Sequence, residues 1–173
     1  MSFPLPATVQ LPERVVETLV TGGASFYASV PCNTFTGLLR ALDQDPRVQH
    51  VPVTREEEGV GLCAGAALAG RLPVLVMQNS GLGNCLNALL SCTQLYGLPL
   101  VLLVSYRGGP DELIDAQRPM GRAMRPLLAA LGIEYFELDV ASHLPRFDEI
   151  LGLARRGRAA AAIIHPCFWQ PAA

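Results

Sequence analysis

The chain has 173 residues, half of them hydrophobic and 16% charged, with a net charge of -2 at neutral pH. That length suits one domain with a substantial core, and the lack of any basic block or aromatic–basic interleaving argues against a nucleic-acid binder. The strongest apolar stretch, Leu98 to Val104, is far below the roughly 20 residues of a membrane helix.

Met1 to Gln10 has neither a basic region nor a long apolar core, so it does not read as a secretory signal, and a cytoplasmic protein is expected. Soluble domains carry about 25% charged residues. The lower fraction here points to an apolar patch that a partner covers, or to a sheet buried on both faces.

Strand and helix signals alternate along the chain. Helix is predicted over Thr8 to Gly22, strand over Ser25 to Val30, helix over Thr34 to Leu42, and strand over Val48 to Val53. Helix follows over Arg55 to Ala69, strand over Pro73 to Met77, helix over Leu82 to Tyr96, and strand over Leu100 to Ser105. After a long loop, Tyr106 to Arg118, come helix Met120 to Leu131, strand Tyr135 to Leu138, helix Ser142 to Arg156 and strand Ala159 to Ile164. Such alternation predicts right-handed crossovers and a three-layer α/β/α fold with a mostly parallel six-stranded sheet.

Five cysteines occur with no C-x-x-C spacing, and His50, His143 and His165 are isolated, so no zinc site is expected. Cys63, Cys85 and Cys92 fall inside helical patterns and read as small buried hydrophobes. Cys32 lies in a strand-exit loop, where either role is open.

Four consecutive strand exits carry polar or special residues. Val53 leads into Thr54-Arg55-Glu56-Glu57-Glu58-Gly59, and the mouth of a strand-to-helix turn is where open α/β sheets bind ligands. Thr54 is a good N-cap, and Glu57 stands three residues on, the spacing of a capping box. Glu58 falls about 100° further round, toward solvent. Glu56 is left at the second helical position, free to project into the crevice. The same spacing also fits three acids that merely complement the helix dipole.

Gly59, Gly61, Gly65 and Gly70 make this helix thin. Each interior glycine costs about 1 kcal/mol relative to alanine, which calls for close approach of a ligand or backbone, or for tight packing on the sheet. The third exit, Gln78-Asn79-Ser80-Gly81-Leu82-Gly83-Asn84, lacks the third glycine of a dinucleotide fingerprint, and the chain has no Walker A lysine. Its backbone N–H groups and the Gln78 and Asn79 amides suit polar or anionic ligand atoms; a plain tight turn would look the same.

The fourth exit, Ser105-Tyr106-Arg107-Gly108-Gly109, offers a guanidinium fork to a carboxylate, phosphonate or sulfonate. A solvated arginine is the other reading, and Arg118 and Arg122 share both. Ser29-Val30-Pro31-Cys32-Asn33 leaves the first strand on the same edge.

Over roughly Val9 to Trp169 these runs resemble the pyrimidine-binding domain of thiamine-diphosphate-dependent 2-oxoacid decarboxylases, a flavodoxin-like fold. The resemblance is carried by Ser29 to Cys32, Val53 to Gly61, Met77 to Asn84, Ser105 to Gly108 and Ala116 to Arg122. The Gln78 to Asn84 run is similar to both sulfopyruvate and phosphonopyruvate decarboxylases. The Thr54 to Gly61 and Ser29 to Cys32 runs look more like the sulfopyruvate enzymes. In this family a glutamate lies nine positions before the A-x-G end of the helix motif, and counting back from Gly65 gives Glu56.

The resemblance implies that Glu56 hydrogen-bonds N1′ of the aminopyrimidine and favours its imino tautomer, so that the ring activates the thiazolium. It implies that Glu56, Pro31, Asn79, Ser80, Gly81 and Leu82 meet the cofactor, and that Arg107, Asn79 and Cys32 meet a 2-oxoacid substrate. The expected reaction is conversion of 3-sulfopyruvate to sulfoacetaldehyde and CO2, with phosphonopyruvate as the alternative substrate. A non-catalytic α/β module is the competing reading.

Relatives hold diphosphate and Mg²⁺ on a Gly-Asp-Gly run and a following asparagine in a second domain. No such run occurs in these 173 residues. No metal ligand is therefore expected here, and a beta subunit or another chain would hold Mg²⁺, within a homodimer or higher hetero-oligomer. Tyr106 stands where relatives would carry histidine. His165 follows the last predicted strand, and nothing in the sequence places it beside Glu56.

Overall fold

A computed structural model describes residues 10–170. The strands are β1 (Ala24–Ser29), β2 (Gln49–Pro52), β3 (Leu72–Gln78), β4 (Leu100–Ser105), β5 (Glu134–Leu138) and β6 (Ala159–Ile164). They form one sheet in the order β2-β1-β3-β4-β6-β5, and every neighbouring pair is parallel. The helices are α1 (Leu11–Thr21), α2 (Thr36–Gln44), α3 (Glu56–Leu68), α4 (Asn79–Ala88), α5 (Arg118–Ala130) and α6 (Arg146–Arg155). The expected three-layer α/β/α fold is present, and its order differs from the flavodoxin-type 2-1-3-4-5 pattern by insertion of β6 between β4 and β5. Thr8 and Val9, the start of the first predicted helix, lie outside the described residues.

Side-chain alternation along the strands builds two cores. Val74, Val76, Val101, Leu103, Ala160 and Ala162 face α1, α2 and α6. Leu75, Met77, Leu102, Val104, Ala161 and Ile163 face α3, α4 and α5. Covered on both sides, β4 and β6 are buried throughout, which is why their sequences read as unbroken apolar runs. Among the described residues no helix is long and apolar enough to cross a membrane.

The starts of α4 and α6 differ from expectation. α4 begins at Asn79, not Leu82, because Gln78 takes the extended N-cap conformation and Ser80 and Gly81 already lie in the first turn. α4 then passes into a π-helical segment, Leu89–Gln94. α6 begins at Arg146: Pro145 separates it from a 3-10 turn over Ala141–His143.

Two reversals of strand order position the site. The chain steps outward from β1 to β2 and back across to β3, which opens a crevice beyond the carboxyl ends of β1 and β3. The later exchange of β5 and β6 puts β6 beside β4 and brings the end of β6 to that same edge.

Candidate active site

Glu56 is the first residue of α3, and Arg55 is the N-cap in extended conformation. The helix therefore starts one residue later than Thr54 and Glu57 suggested. Glu58, not Glu57, closes the cap: its Oε2 accepts from the Thr54 hydroxyl (2.8 Å) and from the backbone N–H groups of Thr54 (3.1 Å) and Arg55 (3.3 Å). These hydrogen bonds, the Thr54 hydroxyl foremost, hold the Glu58 carboxyl below its ordinary range. Glu57 pairs instead with Arg55 at 2.6 Å. Glu56 remains unused by the cap, yet it is only 7% exposed.

Its carboxylate lies across the first turn of α4. A Cβ at Gly81 would stand 2.3 Å from Glu56 Oε1 and 2.4 Å from its Cδ, so only glycine fits beneath it. Asn84 Nδ2, one turn on, donates to Glu56 Oε2 at 2.9 Å. Burial, and then the charge on Glu56, push the neighbouring Cys85 thiol up to about 12. The interior glycines of α3 divide in function. Gly59 packs against Leu75 of the sheet, whereas Gly61 and Gly65 face open space.

The exits of β1, β3 and β4 meet in a polar floor. Cys32 Sγ stands 3.2 Å from the hydroxyl of fully buried Ser105. Gln78 Nε2 donates to the exposed Ser80 Oγ (2.7 Å) and to Gln117 Oε1 (3.0 Å). Asn79 is fully buried; its Nδ2 donates to the Arg107 carbonyl at 2.8 Å, while its Oδ1 is buried without a partner. Leu82 is buried in the core behind α4. Pro31 and Cys32 line a cavity of about 350 Å³ with Asn33, Thr36, Arg40 and others.

Arg107 does not project freely. Its Nε and Nη2 each donate to Glu112 at 2.7 Å, and Glu112 also accepts from the Gly108 and Ile114 backbone N–H groups. The Arg107 fork, followed by the Gly108 N–H, holds the Glu112 carboxyl down at about 2. Among the described residues no hydrogen bond engages Nη1 of Arg107. Gly108, at φ +87°, abuts the backbone of Gln117 and Gly121, which fixes the loop to α5. Arg118 bonds Asp115 and the Glu112 carbonyl.

Beside the clasp is a cavity of about 540 Å³ lined by Tyr106, Arg107, Glu112, His165 and Cys167 among others. The His165 ring centroid is 4.7 Å from that of Tyr106. Its Nε2 lies 2.6 Å from Glu137 Oε2, and Arg125 Nε donates to Glu137 Oε1 at 2.7 Å. Burial alone would raise the Glu137 carboxyl; the bonds to His165 and Arg125 outweigh it and hold it below its ordinary range. Sequence reasoning missed Asn84, Glu112, Gln117 and Glu137 as neighbours of the site. For Asn84 a signal existed: it lies three residues after Gly81, on the same helical face.

Residues 10–124 match the family model described as thiamine pyrophosphate enzyme, N-terminal TPP binding domain. The chain belongs to this family. It is 46% identical over 124 residues to the sulfopyruvate decarboxylase subunit alpha of Methanococcus maripaludis, covering 72% of this chain and 74% of the relative. With the protein of that name from Methanothermobacter thermautotrophicus it shares 40% over 159 residues, 91% of this chain and 96% of the relative. With the phosphonopyruvate decarboxylase of Streptomyces viridochromogenes it shares 37% over 114 residues, 65% of this chain but 29% of the relative.

Thiamine diphosphate fits the crevice of this N-terminal TPP binding domain on its pyrimidine side. The fit rests on a buried carboxylate at a strand mouth, seated against Gly81, and on the orphaned Asn79 Oδ1. Among the described residues, no group of three or more His, Cys, Asp or Glu side chains gathers to hold a metal ion.

Proposed function

We propose that the 173 residues form one pyrimidine-side domain, the alpha subunit of a decarboxylase that converts 3-sulfopyruvate to sulfoacetaldehyde and CO2. One observation carries this reading: in a thiamine pyrophosphate enzyme domain, the glutamate that the cap leaves free is buried and lies against Gly81 in the first turn of α4. Bound thiamine diphosphate supplies the electron sink for loss of CO2. Glu56 holds its carboxylate against the pyrimidine nitrogen and supports the charge there. Pro31, Asn79, Ser80 and Gly81 form the surrounding wall, with Asn79 Oδ1 as a ready acceptor, and the Leu82 side chain backs that wall from the core.

Cys32 and Asn79 meet the 2-oxoacid on the polar floor, and Arg107 offers its Nη1 side to the distal anion. Glu112 makes that arginine rigid but neutralises its charge, so the contribution of Arg107 is directional hydrogen bonding more than net attraction. Mg²⁺ and the diphosphate are held by a beta subunit. The words "subunit alpha" in the names of the relatives support a partner, and the missing Gly-Asp-Gly run supports its role.

Phosphonopyruvate is a second reading, favoured by the Streptomyces relative; its distal group offers the same three acceptor oxygens. Co-expression of the chain with its beta-type partner, and measurement of CO2 release from both substrates, is the test. Faster turnover of sulfopyruvate is expected. Release from neither, with thiamine diphosphate and Mg²⁺ present, would reject the decarboxylase reading.

A further inference from the structure

We infer that Asn84 is a positioning residue for Glu56: its amide fixes the Glu56 carboxylate in place. The inference rests on the reading of Glu56 given above. A glutamate at the first position of a helix can turn its carboxylate through several rotamers, so burial alone does not aim it. Here α4 aims it from two sides. Gly81 clears the surface on which the side chain lies, with Oε1 and Cδ above the position a Cβ would occupy. Asn84, on the same face of the next turn, donates from Nδ2 to Oε2 at 2.9 Å. Among the described residues no other side chain hydrogen-bonds this carboxylate. Oε2 is thereby tied to α4, while Oε1 rests over Gly81 with no hydrogen-bond partner among the described residues.

The choice of an amide has a chemical consequence. A carboxamide N–H stabilises the charged form of a carboxylate that it bonds, and it cannot take the proton away. Glu56 therefore gains from α4 a fixed donor and no competing proton acceptor. Asn84 is itself exposed, so core packing does not account for its position.

Asn84→Ala and Asn84→Asp in the assembled enzyme test this, with Glu56→Gln as reference. Two readouts are taken: affinity for thiamine diphosphate by calorimetry, and the pH profile of kcat. Loss of a hydrogen bond to a charged group corresponds to about a ten- to hundred-fold loss, so Asn84→Ala should weaken cofactor binding and lower kcat/KM by that order. Asn84→Asp keeps the shape but sets two carboxylates within hydrogen-bond distance, which cannot both ionise freely. Its acid limb should move to higher pH by about one unit or more.

Unchanged affinity and an unchanged profile in both variants would overturn the inference, even if each lost some activity through looser packing. An active Glu56→Gln enzyme would instead overturn the reading of Glu56, and the role of Asn84 with it. An inactive Glu56→Gln beside wild-type behaviour of both Asn84 variants would reject the role of Asn84 alone.

Discussion

Glu56 lies across Gly81, in contact where any other residue would carry a Cβ. Gly81 of the third strand exit thus acquires a physical reason that concerns a side chain on another helix. Gly81→Ala should displace the carboxylate by about 1 Å, and misplacement of that size can cost about a hundred-fold in rate. Helix propensity changes in the opposite sense, since alanine is favoured over glycine by about 1 kcal/mol inside a helix. The expected outcome is a sharp fall in kcat with little loss of melting temperature. A variant that loses stability and activity together would place Gly81 in the fold instead of the site.

The three adjacent acids should separate by function. Glu56→Gln keeps the shape of the side chain but cannot supply the charge, so activity of the assembled enzyme should nearly vanish while the fold persists. Glu57→Gln leaves the cap untouched, since Glu57 pairs only with exposed Arg55. It should cost little catalysis, and Glu58→Gln should as well, because glutamine also closes a capping box. Kinetics on the three purified variants, with circular dichroism as a fold control, decide the assignment. An inactive Glu57→Gln beside an active Glu56→Gln would reverse it.

Much of this was legible in the chain. β4 and β6 match their predicted limits because both runs are apolar from end to end and buried on both faces. Glu56 was singled out because a cap uses only one of three acids and because it lies nine positions before Gly65, although the acid the cap uses is Glu58. The start of α4 was misplaced because Gly81 and Gly83 signal a turn, whereas a glycine is tolerated in a first helical turn when a neighbour needs the space. The meeting of His165 with Tyr106 was not legible: it depends on β6 lying beside β4, and the order of strands leaves no local trace. The bond from Asn84 to Glu56 and the clasp of Glu112 on Arg107 are tertiary in the same sense.

The clasp makes a pH prediction. The Glu112 carboxyl has a folded value near 2 against an ordinary value of 4.5. A depressed carboxyl contributes stability that is present in full above its ordinary value and is lost as pH falls through the depressed one. The loop from Tyr106 to Arg118 should therefore resist trypsin equally between about pH 6 and 8, where no part of that transition falls. Glu112→Gln should expose the Arg107–Gly108 bond to cleavage throughout that range. Equal resistance in variant and parent would show that the Gly108–Gly121 contact alone holds the loop.

Arg107→Ala should then alter selectivity. Sulfopyruvate loses a charge-assisted hydrogen bond, about 1.5–3 kcal/mol, or about ten- to hundred-fold in kcat/KM. Pyruvate lacks the distal anion, so its residual turnover should fall much less. Assays of both substrates side by side give the answer. Equal losses would return Arg107 to loop structure and leave Arg118, Arg122 or the partner as the anion site.

The last prediction concerns assembly. Leu68, Leu95 and Tyr96 are 75%, 71% and 69% exposed, on α3 and in the segment that follows α4. Leu62 and Leu90 add to the exposed apolar side chains of those same elements. Exposed apolar patches of this kind mark contact surfaces, and the 16% charge fraction offers little polar cover. Both helices also carry the site, Glu56 on one and Gly81 and Asn84 on the other, so a partner seated on them would close the crevice from outside. At micromolar concentration the chain should scatter light as a dimer or larger. Leu68→Lys with Leu95→Lys should weaken association with itself or with the beta subunit. The chain alone, given thiamine diphosphate, Mg²⁺ and sulfopyruvate, should release no CO2, and adding the partner should restore turnover. A fully active, monomeric chain would contradict both halves of this argument and require a diphosphate site within these 173 residues.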